Sequence, residues 1–241
     1  RLNFETINSK LNLTIKNYQE NTIDLIFNRS NINCSEMFKN CEDIESIDFL
    51  NYDMSSISVY NNMFDGCKSL KSIDLSFLEN ATVENINNMF RGCSELRSLD
   101  LSHLDLSSVH TIENIFKDCI NLESINFSYV NLENIESLQN LFSNLTLLKS
   151  IDLSNINIPN LSNVESMFSN CQSLTSIDLS FINNSNIAVM SNMFNGCKFQ
   201  TIDLSNYHLL STSSIDMSNM FSNCTFLKNA NLSNLYVKNR I

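Results

Sequence analysis

The chain has 241 residues, 43% of them hydrophobic, with only three Gly and one Pro, a composition that excludes a disordered or loop-dominated protein. Its formal net charge of −11 argues against nucleic acid and anionic membrane as partners, since both need a basic face. No apolar run approaches the roughly 18 residues of a membrane span. The numbering opens at Arg1 rather than Met, as in a chain whose signal peptide has been removed or in a fragment.

Residues 1–31 stand apart from the rest of the chain. Leu11, Leu13 and Ile15 alternate, a polar stretch from Lys16 to Asn21 reads as a turn, and Ile23-Asp24-Leu25 reads as a first strand. This segment is expected to be a hairpin-like cap over the first repeat, because terminal repeats of stacked arrays are atypical. Residues 32–241 then form one array. Cys41, Cys67, Cys93 and Cys119 follow one another at 26 residues, Leu145 takes the next place, Cys171 and Cys197 keep the step, and Cys224 follows after 27.

Counted from each Cys, offsets +3, +6 and +8 are apolar (Leu96, Leu99, Leu101) while +5, +7 and +9 are small or acidic (Ser98, Asp100, Ser102). That period of two predicts a short strand with one buried face. Strands are expected near Ile47, Ile73, Leu99, Ile125, Ile151, Ile177, Ile202 and Ala230. Offsets +16, +19, +22 and +23 are apolar again (Val83, Ile86, Met89, Phe90), a spacing that fits one side of a helix. Ser56, Thr82, Ser108, Asn134, Asn160, Asn186 and Ser213 precede these segments as expected N-caps. Asn40, Gly66, Gly92, Asp118, Asn144, Asn170, Gly196 and Asn223 precede the ladder positions, and these residue types enter the left-handed conformation with least strain. Strands about 4.8 Å apart on one side and helices about 10 Å wide on the other predict a curved stack. The expected fold is an α/β repeat: a leucine-rich-repeat solenoid with a parallel sheet on its concave face, short helices on its convex face and about eight repeats of 26 residues. The last strand, around Ala230, is expected to leave an open edge.

The run Met-Phe-x-Gly/Asn-Cys-x-x-Leu-x-Ser-Ile-Asp-Leu-Ser resembles the BspA-like leucine-rich repeats, the 26-residue surface-protein repeat of bacteria and protists. The resemblance covers about residues 32–235. It implies a secreted or cell-surface protein, in some cases an adhesin, with no common enzymatic site and no cofactor to carry over.

Four sets of residues are candidates for function. Cys41, Cys67, Cys93, Cys119, Cys171, Cys197 and Cys224 share a column, so their Cβ atoms point side by side and a buried thiol ladder is expected, with a few disulfides or a metal as alternatives. Cys34 falls in an inward column. Asp48, Asp74, Asp100, Asn126, Asp152, Asp178, Asp203 and Asn231 form an acidic column bracketed by Ser. Carboxylates about 5 Å apart repel by roughly 1 kcal/mol even in water. Serine hydroxyls, Lys71, Arg97 and Lys149, or a cation such as Ca²⁺ held by Asp74, Asp100, Asp152 and Asp178, would offset this. Sequons occur at Asn12, Asn28, Asn33, Asn80, Asn126, Asn144, Asn160, Asn183, Asn223 and Asn231, about what an Asn- and Ser-rich composition produces by chance. If the protein is secreted by a eukaryote, N-linked glycans are expected at exposed ones, first at Asn144, Asn223, Asn80 and Asn183. His103, His110 and His208 form no constellation, and Asp100, Ser102 and His103 do not make a triad by adjacency alone.

The expected function is therefore non-enzymatic: an extracellular or cell-surface repeat protein that binds a protein or glycan ligand on its concave face. The variable offset +4 (Glu45, Lys71, Arg97, Glu123, Lys149, Thr175) would supply contacts. The alternative is a structural subunit stacking end to end into a fibre or coat.

Overall fold

The structure is a computed structural model and describes residues 13–19, 22–27, 33–49, 56–79, 81–153, 156–183, 186–205, 207–209, 214–233 and 236–237. It opens with an antiparallel hairpin of β1 (Leu13–Gln19) and β2 (Thr22–Phe27), irregular in register between Ile15 and Tyr18. The covering role expected for residues 1–31 lies outside the described residues.

In the array, parallel strands pair one repeat apart. β3 (Ser46–Ile47) pairs with β4 (Ser72–Ile73), β5 (Ser98–Asp100) with β6 (Ser124–Asn126), and β7 (Thr201–Asp203) with β9 (Asn229–Asn231). Residues 208–209, the expected phase correction, form β8 and pair with β10 (Tyr236–Val237). The strands expected at Ile151 and Ile177 are not formed. There the Thr175 amide reaches the Lys149 carbonyl at 3.4 Å, against 2.9 Å for Lys71 to Glu45, so the ladder is looser. The parallel sheet is thus a set of pairs rather than one continuous surface.

No α-helix occurs among the described residues, which corrects the expected convex helices. Their place is taken by six-residue turn blocks such as 61–66, 87–92 and 139–144. Within one block the amides of Met63, Asp65 and Cys67 bond back to the carbonyls of Tyr60, Asn62 and Phe64, three residues earlier, at 3.0–3.2 Å. The alternate amides of Tyr60, Asn62, Phe64 and Gly66 point along the stack to the carbonyls of Asn85, Asn87, Met89 and Arg91, at 2.7–2.9 Å. The donors from Asn62 to Gly66 alternate, those of Met63 and Asp65 bonding locally and those of Asn62, Phe64 and Gly66 bonding the next repeat.

The physical reason is a second left-handed residue inside the block. Asn62, Asn88, Asn114, Asn140, Ser166, Asn192 and Asn219 all have φ of 54–58°. The residues before the ladder positions, from Asn40 to Asn223, have φ of 59–75°, as their types predict. One left-handed residue ends a helix, but two, four residues apart, make tandem turns. These turns step every two residues, yet Tyr60, Met63, Phe64 and Cys67 are all buried, the same inward positions that a helix would bury. The expected N-caps act differently too. Asn134 and Asn160 donate their side-chain amides to the carbonyls of Ser107 and Glu133 in the preceding repeat, at 2.7 and 3.0 Å.

One prediction separates turn from helix. Asn88→Ala destabilises the protein by about 1–2 kcal/mol, since Ala in the left-handed conformation meets its own carbonyl, and Asn88→Gly is close to neutral. In a helix Ala would stabilise by about 0.6 kcal/mol instead. Urea unfolding followed by circular dichroism distinguishes the two signs.

The core is built of columns along the stack. Phe38, Phe64, Phe90, Phe116, Phe142, Phe168, Phe194 and Phe221 stack face to face with centroids 5.4–6.5 Å apart. Phe49, Phe127 and Phe199 meet that column edge-on. Ring stacking, not a helix diameter of about 10 Å, therefore sets the repeat spacing on the turn side, and the premise for strong curvature is gone.

Candidate functional site

The strand face carries the acidic column, and its chemistry is local. The near carboxylate oxygens of Asp74, Asp100, Asp178 and Asp203 accept the backbone amides of Ser76, Ser102, Ser180 and Ser205, two residues on, at 2.8–2.9 Å. Asn126 and Asn231 accept from Ser128 and Ser233 in the same way, at 3.0 and 3.2 Å. Each is an Asx turn just after the central apolar residue of its repeat, which explains why only Asp and Asn occupy the column.

The column also bonds across repeats where charge alternates with amide. Asn126 donates to Asp100 at 3.0 Å and Asn231 to Asp203 at 3.2 Å, so the amide relieves the like-charge repulsion. Bonds from the Ser76 amide and hydroxyl hold the Asp74 carboxyl below its usual range, and nearby His103 lowers it further. The Ser102 hydroxyl and amide do the same for Asp100, and those of Ser205 for Asp203. A carboxylate lowered in the folded state contributes stability that is complete above its unfolded range and is lost as pH falls through the folded one. Among the described residues no three His, Cys, Asp or Glu side chains converge as a metal site.

The offset +4 residues, expected to be free for ligand, are partly paired with one another. Lys71 bonds Glu45 at 2.6 Å and Arg97 bonds Glu123 at 3.2 Å, each pair joining two neighbouring repeats and each well exposed. Such exposed pairs contribute at most about 1 kcal/mol and act chiefly on register.

The cysteines are all unbridged. Each thiol from Cys67 onward donates to the carbonyl of a Phe in the previous repeat: Cys67 to Phe38, Cys93 to Phe64, Cys119 to Phe90, Cys171 to Phe142, Cys197 to Phe168 and Cys224 to Phe194, at 3.0–3.2 Å. The side-by-side arrangement gives a ladder of S–H···O bonds parallel to the Phe column. Burial pushes the thiols of Cys34, Cys67 and Cys197 up to about 12, and raises those of Cys93, Cys119 and Cys171 as well. The thiolate is the reactive species, so at pH 8 the native protein reacts slowly with an aromatic disulfide reagent, and the half-buried Cys41 and Cys224 react first. Peptide mass spectrometry after timed labelling checks this; early labelling of Cys93 or Cys119 in native protein would contradict it.

Several sequon asparagines are structural rungs. The side-chain amide of Asn144 donates to Asp118 while its oxygen accepts from Asn170 at 2.8 Å, and Asn223 donates to Asn195 at 3.0 Å. Asn126, Asn160 and Asn231 also donate across repeats, and Asn33 accepts the Ser35 amide at 2.8 Å. Asn12, Asn28 and Asn80 lie outside the described residues.

Sequence reasoning passed over one residue. Tyr129 is 97% exposed and has φ of 66°, the left-handed region a bulky side chain avoids. It follows Asn126, the last residue of β6, by three residues, in the turn after that strand and in the sequence position that His103 holds one repeat earlier. The signal was an aromatic residue three positions after a polar strand end, where the chain must turn.

The fold and its ladders define a protein of tandem 26-residue strand-and-turn repeats. The chain belongs to the family described as "Mycoplasma protein of unknown function, DUF285", which matches residues 32–151 and 121–235. No curated protein matches it. Among solved structures it is similar to a leucine-rich cell surface protein from Faecalibacterium prausnitzii, at 20% identity over 82% of this chain and 75% of that one, with a TM-score of 0.25. It is also similar to TLR13 in a complex with single-stranded RNA, at 16% identity over 74% of this chain and 39% of that one, with a TM-score of 0.24. No helix among the described residues is long and apolar enough to cross a membrane.

Proposed function

We propose that the chain is a non-enzymatic repeat protein of the cell surface or extracellular space, a BspA-like solenoid whose strand face binds a protein or glycan ligand. Tyr129 carries this reading. A fully exposed ring gains nothing from burial, and a left-handed Tyr costs about 1–2 kcal/mol, so its fold benefit is negative. Strain at an exposed aromatic residue fits a contact made with another molecule. The supporting surface is regular: Ser98, Asp100, Ser124 and Asn126 are exposed, and their backbones and Asx turns are fixed before any ligand arrives. Preorganisation of this kind reduces the ordering penalty on binding.

The test is Tyr129→Gly against a glycan array and a panel of extracellular-matrix proteins. Glycine relieves the left-handed strain, so stability should rise by about 1 kcal/mol while binding falls at least tenfold. A variant that is stabilised and binds as before removes Tyr129 from the ligand site and with it this reading.

A further inference from the structure

Gly196 is the one glycine of the chain that follows an Asn. With no side chain on the second residue, Asn–Gly is the dipeptide in which the backbone nitrogen most readily attacks the side-chain amide before it. The fold demands this glycine: Gly196 has φ of 74°, and an added Cβ would run into Oδ1 of Asn170. It does not demand the asparagine, because Ser143, Ser169 and Ser222 hold the same place in other turn blocks.

In the folded chain the attack is blocked on both sides. The Gly196 amide donates to the Ser222 carbonyl at 2.8 Å, and the amides of Asn192 and Phe194 donate to Ser218 and Met220 at 2.9 and 3.0 Å. Phe194 stacks on Phe221 across the same interface, with centroids 5.8 Å apart. Oδ1 of Asn195 accepts the Asn223 side-chain amide at 3.0 Å. The nitrogen of Gly196 can face Cγ of Asn195 only if their shared peptide turns away from Ser222. The side chain can swing to meet it only if Asn223 releases the oxygen. Both bonds join this block to the next, so local opening of that one interface frees nucleophile and electrophile together. Asn195 and Gly196 are only half-buried, which leaves water within reach.

We propose that Asn195 is a guarded deamidation site, modified only while the interface to residues 218–223 is open, and that the modification keeps this interface from closing again. The Gly196 nitrogen bonds to Cγ of Asn195 and gives its proton to solvent, and the Cγ–Nδ2 bond breaks with loss of ammonia. Water then opens the cyclic imide at either carbonyl, leaving an aspartyl or an isoaspartyl residue in place of Asn195. The isoaspartyl form routes the main chain through Cβ, one carbon longer. It also leaves a carboxylate where the Asn195 carbonyl accepts the Asn170 amide at 2.7 Å. The extra carbon moves the Gly196 amide off Ser222 and the Cys197 amide off the Phe194 carbonyl, which it meets at 3.1 Å. One chemical event thus disturbs the contacts of this block with both of its neighbours.

The test holds the intact chain at pH 8 with and without urea and follows Asn195 by peptide mass spectrometry and by labelling with an isoaspartyl methyltransferase. Deamidation should be at least about tenfold slower in the folded protein than in urea, since it waits on local opening. Phe221→Ala, which weakens the same interface, should speed it in the absence of urea. Asn195→Ser should abolish the label at this position. In the deamidated fraction the buried thiol of Cys197 should react faster than in fresh protein, and in the aged Asn195→Ser variant it should stay protected. Equal rates with and without urea would overturn the proposal, as would a folded-state rate indifferent to Phe221→Ala. A deamidated fraction whose Cys197 remains as protected as before would overturn the claim that the interface stays open.

Discussion

Phe142→Ala should lower the unfolding free energy by about 3–5 kcal/mol, the largest effect expected of a single substitution here. Phe142 has no exposed surface and stacks on Phe116 at 6.2 Å and on Phe168 at 5.4 Å. Phe127 also meets its edge at 5.8 Å. Truncation leaves a cavity in the middle of the column and removes ring pairs that contribute about 0.5–1.5 kcal/mol each beyond their burial. Stability in a stacked array is close to a sum of repeat and nearest-neighbour terms, so both interfaces of that repeat weaken together. Phe221→Ala removes one described ring partner, Phe194, and should do less than half as much damage. Urea titration of both variants by circular dichroism tests the ratio. Equal losses would mean that the column does not couple the repeats. A split of the Phe142→Ala transition into two would show that it is the chief coupling.

The second large effect belongs to Arg91. Its guanidinium donates two bonds to Asp65, one repeat away, at 2.8 and 2.7 Å. Asp65 is 4% exposed, so the ion pair is anchored inside the turn stack on its acidic side. Those bonds hold the guanidinium firmly protonated, raised above its usual value. Arg91→Ala leaves the Asp65 carboxylate buried without its cation and should cost about 3 kcal/mol. Asp65→Asn combined with Arg91→Met removes both charges and should recover most of that loss, because a buried pair is worth little over a well-packed neutral replacement. A double-mutant cycle by urea unfolding measures the coupling. If Arg91→Ala loses no more than an exposed pair such as Lys71–Glu45, the pair is effectively solvated.

Much of this architecture was legible because stacked repeats put one residue type in one place many times. The Cys column, the left-handed positions before it and the alternation around Leu99 each point to their structural role. The helix expectation failed because apolar spacing reports which residues face inward, not how the backbone travels between them. Tandem turns and a helix here bury the same positions by different backbone paths. The discriminating signal was the column Asn62, Asn88, Asn114, Asn140, Asn192 and Asn219, in the middle of a segment where a helix has no use for Asn. The acidic column read as a charge problem because pairwise repulsion is visible in sequence, whereas an Asx bond to the amide two residues on depends on the chain turning there. The Glu45–Lys71 and Arg97–Glu123 pairs were hidden for a similar reason. A column of variable charge looks like a binding surface until neighbours are compared two at a time.

The continuity of the turn ladder bears on how such a gene can change length. The single step of 27 residues, from Cys197 to Cys224, is absorbed between the blocks, where β8 and β10 pair, while Asn192, Phe194 and Gly196 still meet Ser218, Met220 and Ser222 in register. Slippage is accommodated on the strand side and refused on the turn side. Recombination that adds or removes whole repeats leaves every remaining interface chemically unchanged, whereas an indel inside a turn block breaks two interfaces at once. Lineages carrying this repeat should therefore differ freely in repeat number and in the loops after the strands, and hardly at all in the spacing of the turn.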